Sequence, residues 1–328
     1  MQAAFYERTG PAAEVLQLGE LPEPVPGPGE LRVRLRWSGV NPSDVKSRAG
    51  LRNPAMPFPR VVPHSDGMGH VDAVGPGVDP ARLGERVWVW NAAWGRPMGT
   101  AAQYVVLPAA QAVALPEGTP DEAGACLGIP ALTALHAVLC HGGVEGRSVL
   151  VAGGAGAVGH YTVQFARLLG ARQVIATVSS AEKAAIARAA GADVTVDYKT
   201  EDVPAAVRAA TGGAGVDRIV EVDLAANTAI DLEALRPGGD IVVYGSGATP
   251  MPLPFFPLIV KNISLHFFIV YNLSPDDRRH AETTLTTLLQ RGVLQHRIDQ
   301  RLPLSRVVEA HQRVESGRAV GNVVVELP

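Results

Sequence analysis

Gly154, Gly156 and Gly159, in the stretch LVAGGAGAVGH, stand in the spacing G-x-G-x-x-G, after an apolar run and before a helical pattern. In that setting the first glycine permits a tight turn, the second lets backbone approach a pyrophosphate, and the third lets helix pack on strand. The helix start adds unpaired N–H groups and a favourable dipole for phosphate. Gly154, Gly156, Ala157, Val158 and Gly159 are therefore candidates for holding a dinucleotide; the alternative is a glycine turn that binds nothing. A second stretch, VVPHSDGMGH, sets His64, Asp66 and His70 around Ser65 and two glycines and raises the question of a metal.

The next residues bear on which dinucleotide. A fold of this kind that binds NAD usually places Asp or Glu about 20 residues beyond the glycines, on the ribose hydroxyls. Here Thr177, Val178, Ser179 and Ser180 occupy that region, with Lys183 following in the first helical turn. The missing carboxylate removes repulsion against a 2′-phosphate, and a lysine among small hydroxyls can hold one, so NADPH is the expected cofactor. The competing reading leaves Lys183 as a solvated helix residue.

The elements that must position these residues fall into two textures. Up to about Pro120 the chain is rich in proline and glycine, with short runs such as LRVRLRW that alternate apolar and charged residues, as half-buried antiparallel strands do. From Ser148 onward, SVLVAGG, RQVIATVSS, DVTVDY, DRIVEV, DIVVYGS and ISLHFFIVYN are near-continuous apolar runs separated by helical patterns. Strands without polar alternation are buried on both faces, which predicts a doubly wound α/β domain with a parallel sheet. The final NVVVELP reads as a strand that returns to the N-terminal barrel.

Composition narrows the function classes. The chain has 328 residues, enough for two domains, and a net charge of −3, which argues against a nucleic-acid surface. Its two cysteines, Cys126 and Cys140, do not make a disulfide framework or a multi-cysteine zinc site. No secretory signal and no apolar run of about 18 residues is visible, so a cytoplasmic protein without membrane partners is expected. The apolar sixth strand would be an aggregation hazard if left bare, which predicts a homodimer through that sheet edge.

Taken in order, NPSDVKSRAG, HSDGMGHVDAVGPGV, GERVWVW, GTAAQYVVLP, LGIPALTAL, VAGGAGAVG, LRPGGDIVVYGS and AVGNVVVELP resemble the medium-chain dehydrogenase/reductase superfamily over nearly the whole chain. The nearest likeness is to its zinc-free, zeta-crystallin-like quinone oxidoreductases. The resemblance implies a Rossmann NADP-binding domain (122–271) inserted in a GroES-like β-barrel catalytic domain (1–121 plus 272–328), with the active site in the cleft between them. It implies that Ser179, Lys183 and Tyr198 hold the 2′-phosphate. Asn41 and Thr133 would lie beside the nicotinamide, Gly245, Ser246, Phe268 and Val270 along its ribose and carboxamide, and Asn322 near the cofactor. Where this branch often carries a tyrosine, the chain has Lys46, which either orients or protonates a carbonyl oxygen or is solvated at the cleft rim. Asn41, Lys46 and Thr133 are thus the candidate catalytic residues.

The expected reaction is hydride transfer from NADPH to a quinone or similar conjugated carbonyl. Reduction of an enone or alkenal double bond and a non-catalytic NADPH-binding role are the alternatives. Against the pattern of zinc-dependent relatives, Asn41 replaces a cysteine ligand and Ser65 a histidine ligand. His64 falls one residue out of register, and an extended segment would turn its side chain the opposite way. No metal is expected.

Overall fold

The computed structural model describes every residue except Thr249. In chain order its strands are β1 (Gln2–Phe5), β2 (Gln17–Glu20), β3 (Glu30–Val40), β4 (Asp66–Val74), β5 (Arg86–Val89), β6 (Tyr104–Pro108), β7 (Ala112–Ala114), β8 (Ser148–Val151), β9 (Gln173–Val178), β10 (Val194–Asp197), β11 (Val216–Glu221), β12 (Leu235–Val243), β13 (Ser264–Phe267), β14 (Ile298–Pro303) and β15 (Asn322–Glu326). They divide between two compact units, Met1–Pro130 with Thr286–Pro328, and Ala131–Leu285.

Both boundaries lie further along the chain than 121/122 and 271/272. At the first, Asp121 pairs with Arg86 of β5 and the Ile129 N–H donates to Asp66 of β4, which ties 121–130 to the barrel. At the second, the Arg278 guanidinium donates to the Val270 carbonyl and holds the start of the Pro275–Gln290 helix to the nucleotide-binding unit.

The barrel unit is built on a seven-stranded sheet of order β14-β15-β3-β4-β5-β7, with β6 also paired to β3. In β3, Leu31, Val33 and Leu35 are buried while Arg34 and Arg36 face solvent, so the alternation in the sequence becomes an inside and an outside. These side chains join Val71, Val87, Val89, Val105 and Leu107 in one core, where each buried aliphatic side chain contributes roughly 1.5–3 kcal/mol. The C-terminal β15 runs antiparallel to β3 and parallel to β14, so the tail does return to the barrel.

The second unit is a six-stranded sheet of order β10-β9-β8-β11-β12-β13 in which every pairing is parallel. Leu150, Ile175, Ile219 and Ile241 fill its centre. This is the doubly wound architecture, whose ligands bind at the carboxyl ends of the strands. The run ISLHFFIVYN is not one long strand. Only Ser264–Phe267 pairs with β12; the chain then leaves the sheet and makes a short 3₁₀ turn at Val270–Asn272, anchored by Arg278. Among the described residues no helix is long and apolar enough to cross a membrane.

Candidate active site

In the nucleotide-binding unit the glycine loop follows β8 and opens the helix Ala157–Leu168. The left-handed residue of the turn is Gly153 (φ +67), one position before the motif, so the tight turn belongs to Gly153 and not to Gly154. Gly154 answers to crowding: a Cβ there would lie 2.6 Å from the Ala176 Cβ of β9. A Cβ on Gly159 would lie 2.2 Å from the Gly153 carbonyl oxygen, the close approach that the third glycine permits. At Gly156 the nearest atom would be 3.3 Å away, and no side chain caps the helix it begins. The loop is thus narrow where it packs and open where a phosphate would meet Ala157, Val158 and Gly159. It is fastened to β9 by the Gly153 and Gly154 N–H groups, which donate to the Thr177 hydroxyl (3.0 Å) and carbonyl (2.9 Å).

Just past that point, Ser180 caps the helix Ala181–Ala189 by accepting from the Lys183 N–H at 3.3 Å. The cap turns the Lys183 ammonium back onto Ser179, to whose hydroxyl it donates at 3.1 Å. The Tyr198 N–H donates to Val178 at 3.1 Å, which brings its exposed ring to the same strand end. Ser179 and Lys183 thus form a hydrogen-bonded pair that holds a cation past the end of β9, with Tyr198 following the neighbouring strand β10.

The other expected residues of this unit share its carboxyl edge. Gly245 and Ser246 follow β12, and a Cβ on Gly245 would stand 2.4 Å from the Val222 carbonyl oxygen. Phe268 follows β13 and packs edge-on to His136, with ring centroids 4.6 Å apart. Thr133 is buried on the helix Leu132–Leu139, which packs on both the Ala157–Leu168 helix and the turn containing Val270.

In the barrel unit Asn41 is buried at the end of β3, where it starts the helix Pro42–Arg48. Its backbone N–H donates to Asp44 at 2.8 Å, and its side-chain Nδ2 donates to Asp66 at 2.9 Å. Burial pushes the Asp44 carboxyl up to about 7. Asn41 thus stands between two buried carboxyl groups, with one Nδ2 proton committed to Asp66. Lys46 lies half-buried on the same helix. Asn322 begins β15, where the pairing of Val323 with Val40 sets it level with Asn41; its amide donates to the Arg297 carbonyl at 3.1 Å.

The stretch around His64 differs from the extended segment expected. His64 has φ +76 and is fully buried, its side chain drawn into a hydrogen-bonded chain inside the barrel. The direction of that chain follows from donor counting. The Thr100 hydroxyl donates to the Asp66 carbonyl (2.5 Å), so its oxygen accepts from Ser38 (2.8 Å), and Ser38 in turn accepts from His64 Nδ1 (2.7 Å). His64 Nε2 is left to accept from His311 Nε2 at 2.9 Å. Burial holds His64 down to about 3 and His311 well below the usual histidine range, so both rings are neutral. Ser38, Thr100 and His311 carried no local signal in the sequence, because the chain links residues far apart. Among the described residues no three His, Cys, Asp or Glu side chains come together as a metal site.

Comparison with known proteins agrees with this architecture. Residues 27–117 match the model for the alcohol dehydrogenase GroES-like domain, and residues 157–289 that for the zinc-binding dehydrogenase domain. The chain is similar to a 2-haloacrylate reductase of Burkholderia, 31% identical over 99% of this chain and 98% of the relative. It is also similar to a quinone oxidoreductase of Pseudomonas aeruginosa, 31% identical over 95% of each. Among solved structures, an NAD-dependent alcohol dehydrogenase is 33% identical with a TM-score of 0.91 over 100% of both chains. A mycobacterial protein complexed with NADPH is 30% identical with a TM-score of 0.89 over 99% of this chain and 100% of that one. The chain belongs to the medium-chain dehydrogenase/reductase superfamily, the class to which its barrel and doubly wound units correspond. Its relatives within that class include quinone oxidoreductases.

Proposed function

We propose that this protein is a zinc-independent NADPH:quinone oxidoreductase of the zeta-crystallin-like branch. The observation that carries the cofactor choice is the Lys183–Ser179 pair at the end of β9, where no carboxylate stands. The NADPH bound to the mycobacterial relative supports it. The quinone oxidoreductase relatives support the acceptor class.

In this reading the glycine-loop N–H groups bind the pyrophosphate, Lys183, Ser179 and Tyr198 hold the 2′-phosphate, and Gly245, Ser246, Phe268, Val270 and Asn322 line the nicotinamide half. The bound cofactor supplies a hydride from C4 of its nicotinamide. Asn41 keeps one Nδ2 proton beyond the one given to Asp66, and this N–H polarises the acceptor oxygen. Lys46 and Thr133 complete the polar groups offered to the acceptor. The residues at the zinc-ligand positions, Asn41 and Ser65, are poor ligands, which supports a reaction without zinc.

The Burkholderia relative favours a second reading, in which the acceptor is an activated alkene. Steady-state turnover of 1,2-naphthoquinone and 2-cyclohexenone with NADPH separates the two. The quinone is expected to give the higher kcat/KM by at least about tenfold. A preference for the enone would transfer the assignment to double-bond reduction, and turnover of neither would leave a cofactor-binding protein.

We further propose a cytoplasmic homodimer joined through β13. The reading is supported by the position of β13 at the sheet edge and by the exposed side chains of Phe255, Phe256, Val260 and Phe267 beside it. The two cysteines, both unpaired, support a reducing compartment. Solution scattering at micromolar concentration is expected to return twice the chain mass; a monomer mass would overturn the dimer.

A further inference from the structure

Two buried carboxyl groups in the nucleotide-binding unit have no part in the chemistry described so far. Glu221 ends β11, and its Oε1 accepts from the Asp223 N–H and from Asn227 Nδ2 at 3.0 Å. Asp231, buried on the helix Leu224–Ala234, lies beside Glu221, and neither Glu221 Oε2 nor Asp231 Oδ2 meets an N–H or hydroxyl donor, so each has only the other carboxyl group to bond. Two carboxyl groups bond to each other only if one keeps its proton. Because Glu221 already accepts twice on Oε1, the proton sits on Asp231 and is donated to Glu221 Oε2.

The surrounding charges leave the pair to itself. Asp223 lies on the turn after β11, and the half-buried Tyr244 follows β12, its phenol pushed up by desolvation and by the Glu221 charge. Arg208, from the helix Val203–Ala210, is turned to Glu233, and Lys261 donates to the Leu232 and Leu235 carbonyls. Burial, and for Asp231 the neighbouring Glu221, raise both carboxyl groups above the ordinary range.

The turn that this pair pins supports the loop after β12. The Asp223 carboxylate accepts from the Gly247 N–H at 2.7 Å, and the Val222 carbonyl closes on Gly245 so tightly that a Cβ would meet it at 2.4 Å. We propose that the proton shared by Glu221 and Asp231 positions the Val222–Asp223 turn, and through it Gly245–Gly247, so that losing this proton weakens NADPH binding. The proposal rests on the assignment of this unit to NADPH. Glu221 and Asp231 are positioning residues that act through the Val222–Asp223 turn.

Fluorescence titration of the full chain with NADPH between pH 7.5 and 9.5 tests it. The wild-type Kd is expected to rise about tenfold over this range. Asp231→Asn keeps an N–H donor without an ionisable proton; it should match the wild type at pH 7.5 and change less than about threefold by pH 9.5. Any pH dependence that arises elsewhere in the molecule is common to both proteins and cancels in the comparison. The same pH dependence in both would overturn the proposal. Infrared spectra of the unliganded protein at pH 7.5 should show a protonated carboxyl band that Asp231→Asn removes; identical spectra would also overturn it. No NADPH binding by the wild type at pH 7.5 would overturn the cofactor assignment and the proposal with it, while the infrared difference would still report the shared proton.

Discussion

Replacing Lys183 by glutamate is expected to raise the Kd for NADPH about 100-fold and to leave that for NADH within about threefold. The ammonium is held 3.1 Å from the Ser179 hydroxyl by a helix that starts at its own cap, so it is already ordered where a 2′-phosphate would lie. A charge-assisted hydrogen bond is worth roughly 1.5–3 kcal/mol, about 10- to 150-fold in affinity, and reversing the charge adds repulsion. NADH lacks the phosphate and loses neither contribution. The helix should survive, because Ser180 bonds the Lys183 backbone and not its side chain. Titration of both cofactors against both proteins is the measurement; an equal loss for the two, or none for either, would take Lys183 out of the phosphate site.

The second large effect concerns stability in acid. His64 is neutral in the folded protein down to about pH 3, whereas an unfolded histidine takes up a proton near 6.5. A depressed histidine means that below pH 6.5 only the unfolded chain gains the proton. Stability is therefore intact above 6.5 and falls by about 1.4 kcal/mol per pH unit as the pH drops towards 3. His311 acts in the same direction. Asp44 acts in the opposite sense: with a folded value of about 7, it costs stability as pH rises from the unfolded carboxyl range to neutrality. The wild-type profile sums these slopes, so the variant His64→Asn is the cleaner probe. Asparagine tolerates φ +76 and can donate to Ser38, but it leaves the His311 N–H without an acceptor. Denaturant unfolding should find the variant less stable at pH 7.5, by about 1–3 kcal/mol, and this deficit should shrink by about 2 kcal/mol at pH 5. A deficit independent of pH would contradict the buried, neutral ring.

What could be read in the sequence was what repeats locally. The doubly wound unit showed itself because buried parallel strands are continuous apolar runs, and the Gly154–Gly159 spacing marked its loop. Even there a local reading assigned the tight turn to Gly154, while the structure places it at Gly153 and uses Gly154 to admit Ala176. The run ISLHFFIVYN looked like one strand because apolarity alone does not say where pairing stops; Arg278, from the following helix, draws Val270 out of the ladder. The four-residue ribbon β1–β2 left no pattern long enough to read. Least legible were the polar contacts between distant residues. His64 was odd at its position, yet nothing near it pointed to His311, and Glu221 and Asp231 looked like ordinary charged residues until the fold buried them together.

The place of β15 between β14 and β3 has a consequence for how the chain is made. Synthesis delivers Ala131–Leu285 as a contiguous stretch with all six strands of its sheet, so this unit can fold while later residues are still being added. The unit that includes the first strands cannot do so. β6 covers Glu30–Arg34 of β3 soon after it is made, but Trp37–Val40 waits without its partner until Asn322–Glu326 has been translated. During that interval the nascent chain exposes the unpaired Trp37–Val40 edge, the kind of feature that chaperones and aggregating partners both recognise. The chain is therefore most vulnerable in the interval when its nucleotide-binding half has already formed and β15 has not yet closed onto β3.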